Sequence, residues 1–153
     1  MKALTTADIN NILLSNSSTK RYFIGTFPAC IIPKTNKKKY FFISNTASHE
    51  HPGKHWIVWK VNGDNVLFFD TFGRSPFDKD FPEYFKDFAK LFKTINHAQK
   101  MIQYPFSVAC GYFCINFVYD LSYDLSLESF LSKFSSNLQE NDKKVYEIVN
   151  SII

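Results

Sequence analysis

The chain contains no long hydrophobic run, no apolar leader and no paired cysteines. Nothing in its 153 residues approaches the ~18 consecutive apolar residues that a membrane-spanning helix needs. The opening MKALTTADINN has no hydrophobic h-region, so a secretory signal is not expected. Cysteine occurs three times, an odd number with no CxxC pair. That argues against a disulfide framework and a paired-thiol zinc site, and for reduced thiols in a reducing compartment. An excess of one charge is also missing: 18 Lys and Arg face 14 Asp and Glu, for a net +4, too little to declare a nucleic-acid protein. The densest basic run, Lys34 with Lys37, Lys38 and Lys39, reads as a solvated loop before a strand, with a polyanion such as DNA as the alternative contact. Repeats, linkers and low-complexity tracts are absent, and the length suits a single domain over residues 1–153.

What the chain has is apolar bulk. Hydrophobic residues make up 45% and aromatic residues 18%, with 17 Phe, which rules out a disordered chain. Most of these rings belong in a core, and a few remain for a groove. Periodicity predicts a short helix over Thr5–Leu14 capped by Thr5 or Thr6, and an extended piece over Tyr22–Phe27. Strands are expected at Lys39–Ser44, His55–Val61 and Val66–Asp70, the last two joined by the turn Asn62-Gly63-Asp64-Asn65. An amphipathic helix is expected over Asp80–Lys93, with Tyr84, Phe85, Phe88, Leu91 and Phe92 near one face, then a strand over Lys100–Tyr104. A buried helix over Cys110–Tyr123 and two more over Leu127–Phe134 and Gln139–Ile152 complete the chain. Strands followed by helices make the class α+β.

Four residue types needed by a cysteine hydrolase stand in order: His55, Asp70, Gln103 and Cys110. Cys110 lies between a loop and a helix, where unpaired backbone N–H groups and the positive end of the dipole favour a thiolate. The hairpin sets His55 and Asp70 on adjacent strands, facing each other. In the expected roles His55 takes the Cys110 proton and Asp70 holds the imidazole. Gln103 donates its amide to the oxyanion beside the Cys110 backbone N–H. Gly111 allows close approach of another backbone or a substrate. Cys30 and Cys114 read as structural. A metal site is not expected. His49, Glu50, His51 and His55 cluster within seven residues, but Pro52-Gly53 breaks any HExxH helix. The first three belong on a groove rim.

The order His, Asp, Cys and four local motifs resemble the adenovirus maturation protease family and its relatives in viruses and virus-like transposons. The motifs are Tyr22-Phe-Ile-Gly-Thr26, Asn45-Thr-Ala47 with His55-Trp56, Leu67-Phe-Phe-Asp-Thr-Phe-Gly73, and Gln103 seven residues before Cys110 in a Ser-x-Ala-Cys-Gly-x-Phe-Cys context. Asp70 replaces the Glu usual in that family. The resemblance implies a papain-related, Ulp1-like fold, a mixed sheet flanked by helices with the catalytic Cys at a helix N-terminus. It implies an endopeptidase that matures capsid or core precursors by cutting near small residues, especially Gly. A narrow channel at the scissile bond, walled by Trp56 and neighbouring aromatics, would enforce that preference. The partners implied are viral precursor proteins, met in the virion and host-cell interior, with no membrane and a monomeric enzyme. The family's disulfide-tethered activating peptide attaches to a cysteine before the oxyanion Gln. Residues 90–99 hold none, so a covalent peptide is not expected there, while activation by DNA or a viral peptide stays open. The C-terminal region reads as shorter than the family's, a compact version. Two competing readings are a deubiquitinase or deSUMOylase of the same fold, and an inactive protease-like binding module. The second would be expected to lose Cys110 or His55.

Overall fold

The apolar stretches Tyr40–Ile43, Ile57–Trp59 and Val66–Phe69 carry too little polar alternation for a sheet with one wet face, so both faces must be covered. A computed structural model describes residues 1–46 and 55–153. It consists of α1 (Thr6–Ser15), β1 (Phe23–Phe27), β2 (Lys39–Asn45), β3 (Trp56–Asn62), β4 (Asn65–Phe69), α2 (Glu83–Ala89), β5 (Thr94–His97), α3 (Cys110–Ser122), α4 (Leu127–Leu131) and α5 (Leu138–Ile152). The five strands form one mixed sheet in the order β1-β2-β3-β4-β5. The inner pairs are antiparallel and the two outer pairs parallel. The expected α+β class is the one found.

Alternate strand residues feed two cores. Phe41, Ile43, Val58 and Phe69 face α1, α3, α4 and α5, and Phe69 stacks on Phe117 of α3 at 4.5 Å. Tyr40, Phe42, Ile57, Trp59, Val66 and Phe68 face the other way, toward α2. There Trp59 is fully buried among Phe42, Phe68, Phe85 and Phe88. Phe42 stacks on Trp59 and the other three meet it edge-to-face; such pairs add about 0.5–1.5 kcal/mol each beyond their burial. The helix α3 is the centre of the first layer, with 12 of its 13 residues buried.

Local signals explain the element ends. Thr5 and Asp8 form a reciprocal capping box that opens α1 at 3.1 and 3.0 Å. The β3–β4 hairpin turns where expected, with Asn62 paired to Asn65 and Gly63 at φ +60. Two expectations fail. The helix over Asp80–Lys93 shrinks to Glu83–Ala89, because Pro82 sits at its N-cap and the chain turns away after Lys90. Leu91 is then 77% and Tyr84 48% exposed rather than on the buried face. No strand forms at Lys100–Tyr104. Lys93 and Thr94 donate their N–H groups to Asp64 O, which draws the preceding segment onto the hairpin end, and β5 takes the position beside β4. Residues 100–104 instead run past the end of β4. The two C-terminal helices occur as expected, α4 ending earlier, at Leu131. Ala47, His49, Glu50 and His51, part of the polar loop of the sequence reading, lie outside the described residues.

Candidate active site

The hairpin positions the histidine and the carboxylate. Val58 pairs with Phe69; continuing that register sets Asp70 against Ile57 and Phe72 against His55. The His55 ring stacks on Phe72 at 5.1 Å, and its Nε2 meets Asp70 Oδ1 at 2.6 Å. A carboxylate only accepts, so the Nε2–H donates and Nδ1 is left for the thiol. Cys110 also favours the protonated ring, through a hydrogen bond and its charge. Burial pulls the imidazole pKa down, yet the bonds and charges of Asp70 and Cys110 win and carry it from 6.5 to about 9.

Asp70 is fully buried. Such a carboxylate needs donors, and four reach it. Besides His55, the Arg74 guanidinium supplies Nε at 2.8 Å and Nη2 at 3.3 Å, and the Arg74 backbone N–H reaches Oδ2 at 3.1 Å. Burial pushes the Asp70 pKa up, but His55 and Arg74 overcome it and hold the group below its ordinary 3.8. Arg74 is raised in turn by Asp70 against its own desolvation. Its guanidinium also lies over the rings of Phe72 and Phe81, at 5.4 and 4.5 Å. Phe72 thus touches imidazole and guanidinium alike. The turn that brings Arg74 back needs Gly73, at φ +76, where a Cβ would stand 2.8 Å from Gln99 O. Arg74 was not singled out from sequence. Its only signal was its position four residues after Asp70, on a turn rather than a helix.

Cys110 is the first residue of α3 and is 6% exposed. Ala109 caps the helix without a side-chain bond, and the first turn holds no acidic residue. The positive end of the dipole is therefore left for a charge on the sulfur or on a bound group. Cys114, one turn on, is fully buried and donates to Trp56 O at 3.4 Å. Burial pushes its pKa well above the ordinary 9.0, as do the Cys110 and Asp70 charges. None of the three cysteines is in a disulfide.

Gln103 is 2% exposed. Its Oε1 accepts from Thr71 Oγ1 at 2.6 Å, and its Nε2 donates to Ser107 O and Oγ, both at 3.3 Å. Trp56 is partly buried, donating from Nε1 to Leu4 O at 3.3 Å. Gly111 packs under it: a Cβ there would lie 3.2 Å from Leu4 and 3.4 Å from the Trp56 ring. The sequence reading missed Leu4, whose helix-preceding position gave no hint of contact with the site. Among the described residues no three His, Cys, Asp or Glu side chains gather as metal ligands. None of the described helices is long and apolar enough to cross a membrane.

No protein-family model matches the chain. It is 31% identical over 112 residues to the protease of Bovine adenovirus 2, which covers 64% of this chain and 54% of that one. It is 28% identical over 114 residues to the protease of Human adenovirus A serotype 12, with the same coverage. The chain thus spans about half the length of the curated relatives it matches. Among solved structures, an ASFV protease superimposes with a TM-score of 0.57 at 16% identity, covering 92% of this chain and 64% of that one. The fold is shared with that viral protease, and the sequence is similar to the adenovirus enzymes.

Proposed function

We propose that this chain is a viral cysteine endopeptidase using a Cys110–His55–Asp70 triad. One observation supports it above the rest: His55 Nε2 lies 2.6 Å from the buried Asp70, and Asp70 and Cys110 together favour the protonated ring. In this reading His55 takes the Cys110 proton, so nucleophile and acid are formed together. The sulfur attacks a peptide carbonyl, His55 returns the proton to the leaving amine, and water attacks the thioester with His55 as base. The Cys110 backbone N–H and the Gln103 amide are the donors for the oxyanion.

The substrates under this reading are viral capsid or core precursors, cut beside Gly. The Trp56 ring packed close over Gly111 favours a narrow approach to the sulfur. Such a channel admits side chains with little bulk. DNA or a viral peptide remains the proposed activator, with no metal taking part in the chemistry. The test is a set of quenched peptides differing only in the residue before the cut. Gly-Gly is expected to be cleaved fastest, and only with Cys110 intact. Equal cleavage after Phe would refute the channel. Cleavage that survives Cys110→Ala would refute the nucleophile. A ubiquitin conjugate turned over far faster than the Gly-Gly peptide would replace maturation by isopeptidase activity.

A further inference from the structure

Gln103 is held from both ends of its side-chain amide. Ser107 O can only accept, so the amide end that faces it must be the nitrogen. The oxygen end then receives the Thr71 hydroxyl at 2.6 Å. Ser107 Oγ accepts hydrogen bonds from the amide and from the Ala109 N–H, both at 3.3 Å. Its own O–H donates a hydrogen bond to Asp142, a carboxyl on α5. Both acceptors of the amide nitrogen belong to Ser107, three residues before Cys110. The side chain is buried and held at both ends of the amide.

Thr71 is itself immobile. It is fully buried, and its carbonyl accepts from Ile102 N at 2.8 Å, one residue before Gln103. It directly follows Asp70, so two consecutive residues beyond β4 reach both halves of the site. Asp70 orients the imidazole, and Thr71 reaches the amide. We propose that Thr71 is a positioning residue whose hydroxyl holds the Gln103 amide with its N–H end, not its oxygen, turned to serve the oxyanion. The proposal rests on the reading of Cys110 as the nucleophile. Without the hydroxyl the amide oxygen is left buried and unpaired, and the amide is free to rotate off its target. Pre-alignment is what makes such a donor effective, since no reorganisation is then needed during the reaction.

The experiment compares wild type with Thr71→Val, Thr71→Ser, Gln103→Ala and the double variant Thr71→Val/Gln103→Ala. Two probes are used: a quenched peptide with Gly-Gly before the scissile bond, and iodoacetamide, whose reaction with Cys110 forms no oxyanion. Thr71→Val is expected to lower kcat about tenfold, with KM and the Cys110 alkylation rate unchanged. Thr71→Ser should restore kcat, and Thr71→Val should cost nothing further once Gln103 is Ala. The lock is overturned if Thr71→Val cleaves at the wild-type rate, if its cost persists in full beside Gln103→Ala, or if alkylation slows in parallel with hydrolysis. A Cys110→Ala protein that cleaves like wild type overturns the nucleophile reading, and the lock with it.

Discussion

Replacing Asp70 by Asn keeps the shape of the side chain and removes its charge. In the wild type Nε2 of His55 lies 2.6 Å from Asp70 Oδ1, and the ring pKa stands at about 9 instead of 6.5. At about 1.4 kcal/mol per pH unit that is roughly 3 kcal/mol of preference for the imidazolium. Asp70 and Cys110 share it, against a burial cost that remains in the variant. The His55 midpoint in Asp70→Asn is therefore expected to fall by at least about one unit. An Asn must also turn an NH2 donor toward either His55 or Arg74, both of which donate. One contact becomes repulsive, and folding stability should drop by about 1–3 kcal/mol. The assay is an NMR titration of the His55 ring, assigned with His55→Gln, beside the pH dependence of peptide cleavage. In wild type, activity should fall as pH rises through about 9, where the ring loses its proton. In the variant that limb moves to lower pH, and the maximal rate drops about 10²-fold. An unmoved midpoint would refute the argument that Asp70 supports the imidazolium.

The same pair sets the pH dependence of stability. The His55 contribution is complete below 6.5 and lost as pH rises through about 9, because its folded pKa is raised. The Asp70 contribution is present above 3.8 and lost as pH falls through its lower folded value. Denaturant midpoints should fall on both sides of that window, and Asp70→Asn should flatten them. Gly73→Ala forces a Cβ to 2.8 Å from Gln99 O at a positive φ; a loss of about 1–3 kcal/mol in urea melts is expected, with cleavage reduced because Arg74 no longer reaches Asp70. Trp59→Ala empties the aromatic cluster under α2 and should cost about 3–5 kcal/mol. In site-resolved alkylation, Cys114 should stay unmodified in the folded protein, since burial pushes its pKa up.

Much of the site was legible because its parts sit at element ends that sequence marks well. The Asn-Gly turn fixed the hairpin register, and that register carries His55 to Asp70. The loop-to-helix junction put Cys110 at the start of α3. What was not legible depends on chain paths between elements. Arg74 and Thr71 sit on a segment whose shape is set by Gly73 and by the backbone bond from Ile102 to Thr71. No periodicity reports such a path. A strand was expected at Lys100–Tyr104, but the β4 edge is occupied by β5, a four-residue segment of weak pattern. Likewise Leu91 fits a helical stripe on paper, while Pro82 and the turn after Lys90 leave it in solvent.

The central claim is that Cys110 attacks carbonyl-like substrates with His55 as its partner. The most direct measurement is incubation at pH 7.5 with a peptide vinyl methyl ester ending in Gly, followed by mapping of the adduct by mass spectrometry. The account predicts one adduct, on Cys110, abolished by His55→Ala and absent from Cys30 and Cys114. Labelling spread over the three thiols, or a Cys110 adduct that forms as fast without His55, would contradict it.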